Sequence, residues 1–239
     1  MSDRFVPRKP QLTQDHVARV WRQVTDTDGA PPLRPLSQDD KSRVADDLLV
    51  QKGDDPFWIF AIGSLIWKPS FEHVERRRCI ALGWRRSFCL ELTNFRGTPE
   101  QPGLMLALAL ARGGSCVGVA YRMPEDAPHA RMMRLLDREI DYHEDVPWMR
   151  WLTLRGEGQA FRALAFYCAP RTSASLMHLS LNEEADRMAF AVGEAGSCAE
   201  YLHNTVTHLE NLGIRDSYLW RLQDMVAARI EALHPDLVV

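Results

Sequence analysis

The stretch "WIFAIGSLIWKP", Trp58 to Pro69, is an apolar run that breaks at Gly63-Ser64 and resumes at once with Leu65-Ile66-Trp67. The residues allow two readings. A buried strand turns a corner at the glycine, or the strand ends there and the loop presents backbone N–H groups to a ligand. Glycine suits both, because without a Cβ it permits tight turns and close approach.

Working outward, the character of the first segment, "WIFAI", continues in "CIALGWRRSFCLEL" (79–92), "GLMLALALA" (103–111), "SCVGVAYRM" (115–123), "WLTL" (151–154) and "FRALAFYC" (161–168). These short apolar or alternating segments, separated by Gly, Pro and charged residues, predict a sheet-rich middle. One helix interrupts them, from about Asp126 to Tyr142. At 100° per residue Glu139 lies within about 60° of Met132, Leu135 and Leu136, so its carboxylate projects from or beside the apolar stripe. Desolvation there would raise its pKa and suit it to general acid or base work. Periodicity alone favours a plainer reading, a solvated Asp137-Arg138-Glu139 turn at the edge of the stripe.

Helices are predicted on both sides of the sheet region. Val17, Val20, Trp21 and Val24 recur at helical spacing between Gln14 and Val24, and "TDTDGAPPLRP" (25–35) follows as a linker. Ser37-Gln-Asp-Asp40 resembles a capping box ahead of a short helix carrying Val44, Leu48 and Leu49. Near the C-terminus, Ser197-Cys-Ala-Glu200 opens a helix that buries Leu202, Val206 and Leu209 and stops at Gly213. Asp216 caps the last helix, whose stripe is Leu219, Leu222, Val226 and Ile230. The expected organisation is a helical extension and linker over residues 1–56 and one domain over 57–239.

Composition narrows the function. The 239 residues are 46% hydrophobic and 26% charged, ordinary globular usage, and carry a net charge of −3. That balance argues against nucleic acid as a partner, since nonspecific affinity needs many Lys and Arg on phosphates. Five cysteines at wide, irregular spacing fit neither a disulfide framework nor a CxxC site and read as reduced core thiols. No apolar run is long enough for a spanning helix and none follows the charged N-terminus as a signal peptide would, so a cytoplasmic protein without membrane contact is expected.

The usual catalytic motifs are missing. There is no Walker A sequence, no G-x-G-x-x-G after a strand and no G-x-S-x-G elbow. His203 and His208, five apart, lie on different helix faces, and no standard zinc spacing surrounds them, so no metal is expected. Arg76-Arg77-Arg78 and Arg85-Arg86 read as a solvated strand edge or helix face. Cys89 and Cys116 read as packing, and Trp58, Trp67, Trp84, Trp148 and Trp151 as core or pocket walls. What stands out is one strand-to-loop Gly-Ser, one carboxylate on an apolar helix face, and a sheet able to bring them together.

Taken together, "FAIGSLIWKPSF" (60–71), "GWRRSFCLELTNFRGTPEQPGLMLAL" (83–108), "GVAYRMP" (118–124), "LLDRE" (135–139) and "EYLHNTVTHLENLGIRDSYLWRL" (200–222) resemble the ChaC-type γ-glutamylcyclotransferase family, in the family's order. The resemblance implies an α+β fold, a mixed β-barrel with flanking helices. It implies an intramolecular transfer that releases 5-oxoproline, with glutathione as the usual substrate and Cys-Gly as the leaving dipeptide, and no cofactor. It places the essential glutamate of an Arg-Glu pair at Glu139 and the γ-glutamyl-holding loop at Gly63, Ser64 and Leu65, with Phe60, Ala61 and Ile62 completing the substrate-binding segment. Backbone N–H groups of that loop would bind the substrate's α-carboxylate or polarise its γ-carbonyl.

Two positions depart from the family's pattern. Ile62 stands where the family usually has Tyr, and Ile140-Asp141-Tyr142-His143 follows the Arg-Glu pair where a Gly is common. Both touch the expected pocket and leave room for a γ-glutamyl compound other than glutathione. A noncatalytic γ-glutamyl or small-anion binding protein on the same scaffold, and a hydrolase releasing free glutamate, are the rival readings. A monomer is expected.

Overall fold

The computed structural model describes residues 6–25, 33–69, 71–156, 158–168 and 178–235. Most of the expected linker, residues 26–32, lies outside them. The chain divides into two compact units, one built from the residues before 32, 88–106 and those from 175 onward, the other from 32–87 and 107–174.

The second unit is built on a barrel. Strands β1 (Trp58–Ala61), β2 (Glu75–Leu92), β3 (Gly103–Arg122), β4 (Met149–Arg155) and β5 (Ala160–Phe166) close in the order β1-β3-β2-β4-β5. β1 runs antiparallel to β3 and parallel to β5, and β4 runs antiparallel to β2 and β5, so the barrel is mixed, as the fold class expected. Its core sets Trp58, Phe60 and Trp84 among Ala81, Ala120, Ala163, Ala165, Cys79 and Cys116. Alternating large and small side chains in this way fills a small barrel without voids. The segments either side of Arg112-Gly113-Gly114, expected as two strands, form one 20-residue strand. Gly113 takes φ +73°, a conformation that lets a strand bend without ending.

β2 changes face at a glycine. Cys79 and Ala81 are buried at odd positions, and beyond Gly83, with φ +83°, the buried residues include Trp84, Arg86 and Phe88 at even ones. One residue in left-handed conformation shifts the alternation by one, as at a bulge. The second arginine of the 85–86 pair is thereby turned inward.

Two helices flank this barrel unit. In α2 (Gln38–Lys52) the capping box is complete: the Ser37 hydroxyl accepts from the Asp40 N–H and the Asp40 carboxylate from the Ser37 N–H. α2 packs on α4 (Pro128–Glu139), with Lys41 Nζ 3.2 Å from an Asp137 oxygen. α4 is shorter than the expected 126–142. Pro128 opens it, and Ile140 turns to extended backbone. The chain then bonds to residues 34–36: Leu36 N–H donates to Asp141 O (2.8 Å) and His143 N–H to Arg34 O (2.9 Å). A short 3-10 helix, His143–Trp148, leads into β4.

The first unit holds α1 (Gln14–Val20), α5 (Leu181–Phe190), a two-stranded ribbon β6 (Val192–Gly193) and β7 (Gly196–Ser197), α6 (Cys198–Asn211) and α7 (Ser217–Leu233). α1 stops earlier than Val24, since Trp21 is extended and exposed. The expected stripes of α6 and α7 are buried, Gly213 with φ +69° follows α6, and the Asp216 carboxylate accepts from the N–H groups of Tyr218 and Leu219. Only half of the Ser197 box forms, because Glu200 turns its carboxylate to Arg96 at 2.7 Å. Among the described residues no helix is long and apolar enough to cross a membrane.

Candidate active site

β1 is buried along its whole length, and where it stops the chain makes the one-turn helix α3 (Ser64–Trp67). Gly63 stands at its N-cap, the Gly63 carbonyl accepts from Ile66 N–H (2.8 Å), and no side chain caps the turn. The opening N–H groups of any helix lack intrahelical acceptors, so this loop offers donors at the end of β1. Phe60 and Ala61 are wholly buried in the strand, Leu65 is buried, and Ser64 is half-buried. Ile62 keeps the parity of Trp58 and Phe60 and packs against the barrel core, so the side chain at the departing position points inward.

Arg86 lies beneath this loop, 3% exposed. Its Nε donates to the Ile62 carbonyl (2.8 Å) and its Nη2 to the Val117 carbonyl (2.6 Å). The β1–β3 ladder ends with Ala61 opposite Val119. Continuing that register would set Ile62 opposite Gly118 and Gly63 opposite Val117, so the guanidinium takes the two carbonyls just past the point where the strands part. Arg85 is exposed, as expected for a solvated strand edge or helix face, but Arg86 is not; the signal that separates them is Gly83, which puts Arg86 on the inner face.

Glu139 is the last residue of α4, whose inner face carries Met132, Leu135 and Leu136, all fully buried. Its side chain is 20% exposed, and its Oε1 lies 2.8 Å from Arg138 Nε. Burial pushes the Glu139 carboxyl above its ordinary range, the Arg138 guanidinium pulls against that, and the neighbouring charge of Asp141 adds to the rise. Arg138 also donates through Nη1 to the Lys68 carbonyl, which follows α3. One guanidinium therefore joins the α4 carboxylate to the segment that begins at Gly63. Spacing gave no hint of this link, since 70 residues separate Lys68 from Arg138.

Other candidate features are engaged elsewhere. The His203 Nδ1 bonds to Leu12 O (2.8 Å) and the His208 Nδ1 to Asn204 O (2.7 Å). Among the described residues no three His, Cys, Asp or Glu are gathered as a metal ion would need. All five cysteines are buried and free of disulfides. A cavity of about 320 Å³ lies at the start of β1, lined by Trp58, Phe161, Arg77, Arg122 and Arg162. Its guanidiniums face carboxylates already, Arg77 and Arg122 on Glu75 and Arg162 on Asp55.

A sequence model of ChaC-like proteins matches residues 57–229. The chain belongs to this family. The ChaC-like chain is 35% identical over 196 residues to a glutathione-specific γ-glutamylcyclotransferase of Escherichia coli K12, covering 82% of this chain and 84% of that protein. It is 29% identical over 175 residues to γ-glutamylcyclotransferase 2-3 of Arabidopsis thaliana, covering 71% and 87%. Among solved structures, a γ-glutamyl cyclotransferase specific to glutathione from yeast superposes with a TM-score of 0.62 at 20% identity, over 73% of this chain and 97% of that one. That likeness is one of fold.

Proposed function

We propose that this chain is a γ-glutamylcyclotransferase that converts glutathione to 5-oxoproline and Cys-Gly, with Glu139 as the proton carrier and the segment from Phe60 to Leu65 as the substrate cradle. Membership of the ChaC-like family and the names of its relatives support the reaction. The observation that carries the site is the Arg138 guanidinium, which holds the Glu139 carboxylate on one side and the Lys68 carbonyl on the other.

The chemistry asks little of the protein. The α-amine of a γ-glutamyl amide can reach its own γ-carbonyl and close a five-membered ring, so no enzymic nucleophile is needed once the chain is folded into that geometry. The new bond joins the α-nitrogen to the γ-carbonyl carbon, and the bond that breaks joins that carbon to the cysteine nitrogen. An ammonium cannot attack, so a carboxylate takes its proton, and the departing amine receives one. Glu139 serves both steps: a carboxyl raised by burial is closer to neutrality and gives back what it takes. The N–H groups of Gly63, Ser64 and Leu65 hold the α-carboxylate or the γ-carbonyl oxygen.

We assign the reacting domain to residues 57–239, with the preceding residues as an extension. Buried, unbridged thiols suit a reducing compartment such as the cytoplasm.

The test is direct. Purified protein is incubated with glutathione and a panel of γ-glutamyl dipeptides and amines, and chromatography separates 5-oxoproline from free glutamate. Wild type releases 5-oxoproline, and Glu139→Gln keeps its fold while kcat drops by about 10²–10⁴. Release of glutamate, or parental activity in the Gln variant, overturns the assignment.

A further inference from the structure

We propose that Arg86 is a positioning residue of the reaction: it locks the Ile62–Gly63 peptide in one orientation, so that the Gly63 N–H faces the substrate instead of the barrel. The role rests on the cyclotransferase reading of the loop, but the locking itself stands on geometry alone.

In a trans peptide the carbonyl of one residue and the N–H of the next point in opposite directions. Arg86 Nε holds the Ile62 carbonyl at 2.8 Å, so the Gly63 N–H is directed away from the guanidinium. This peptide would otherwise turn over readily. A flip rotates ψ of Ile62 and φ of Gly63, and glycine accepts either sign of φ. Beyond Ala61 and Val119 the pairing of β1 with β3 no longer restrains the bond. The same freedom that lets glycine approach a substrate closely would leave its donor pointing either way.

The guanidinium is fitted for the task. It is buried, and its second prong holds the Val117 carbonyl on β3 at 2.6 Å, so the fork is braced against the barrel wall. A planar fork with donors in fixed directions constrains two carbonyls at once, as the single point charge of a lysine cannot. The charges that act on the Glu139 carboxyl are those of Arg138 and Asp141, so replacing Arg86 should leave the proton carrier's titration alone.

The experiment uses the full-length parent, Arg86→Lys and Arg86→Met, each with glycine labelled by ¹⁵N. Three quantities are read: kcat and KM for 5-oxoproline release, the pH profile of kcat/KM, and the Gly63 amide signal against those of Gly53 and Gly213. The expected result for Arg86→Met is a loss in kcat/KM of about 10²–10³, the scale of one misdirected backbone donor. Its acid limb should stay in place, and the Gly63 signal should shift or broaden while Gly53 and Gly213 stay put. Arg86→Lys should lie between Met and the parent on both readouts.

Parental kcat/KM with an unchanged Gly63 signal in either folded variant overturns the proposal, and so does lost activity with an unchanged Gly63 signal. If the parent makes no 5-oxoproline, the cyclotransferase reading fails, and the Gly63 signal still decides the locking. Should neither variant fold, glutathione is added to Glu139→Gln labelled at arginine and glycine. Concerted shifts of the Arg86 Nε–H and the Gly63 N–H support the lock, and a Gly63 shift alone overturns it.

Discussion

Replacing Arg138 by methionine should raise the pH at which activity appears. Of the influences on Glu139, burial and Asp141 push its carboxyl up, and Arg138 alone pulls it down, from 2.8 Å. Without the guanidinium only the upward influences remain. An opposite charge in contact lowers a carboxylate by about 1–3 units. Both side chains keep a fifth of their surface exposed, and the solvent screening this allows argues for the bottom of that range. The acid limb of kcat/KM should therefore climb by about one pH unit. At the parent's limb midpoint the ionised fraction of Glu139 then falls from half to about a tenth, a roughly fivefold loss of rate, which vanishes well above both limbs. The assay is 5-oxoproline release from glutathione across pH, with Arg138→Lys as the variant that keeps the charge and a limb near the parent's. A limb that stays put or moves down in Arg138→Met would mean that the group setting it is not Glu139.

Two further outcomes test the wider structure. Leu12 is fully buried, its N–H bonds to Gln223 Oε1 (2.8 Å) and its carbonyl to the His203 ring, so the site has little freedom to collapse around a cavity. Leu12→Ala should cost about 2–5 kcal/mol in urea unfolding, and a cost under about 1 kcal/mol would contradict the packing. Burial pushes Cys79 up to about 12 and Cys198 up to about 11, and all five thiols are buried. Ellman's reagent at pH 8 should therefore label none within minutes on the native protein and five in denaturant, and one fast thiol on the native protein would contradict this.

Much of this architecture is written in short-range pattern. Ser37 with Asp40, and Asp216 before its helix, announce their caps because a capping side chain reaches only two or three residues along the chain. The stripes of α6 and α7 are buried as their spacing indicates, and Glu139 lies where 100° per residue puts it, beside Met132, Leu135 and Leu136. α5 carries the same kind of local signal, a capping box between Ser180 and Glu183. Gly113-Gly114 misled for a physical reason: a glycine pair marks a turn or a bend, and only pairing with neighbouring strands chooses between them.

By itself, then, the sequence determined the helices with local caps, the sheet-rich middle, the buried stripes of α6 and α7, and the angular place of Glu139 beside an apolar stripe, while its spacing favoured a solvated carboxylate there. Only the tertiary structure decided what those groups touch. Arg86 reaches Ile62 across 24 residues because Gly83 turns it inward and the barrel closes over it. Arg138 reaches the Lys68 carbonyl across 70 residues, joining α4 to the loop after β1. Periodicity repeats within a few residues and carries no information about such distant partners. The burial that pushes the Glu139 carboxyl up and the hold on the Ile62 carbonyl both depend on them.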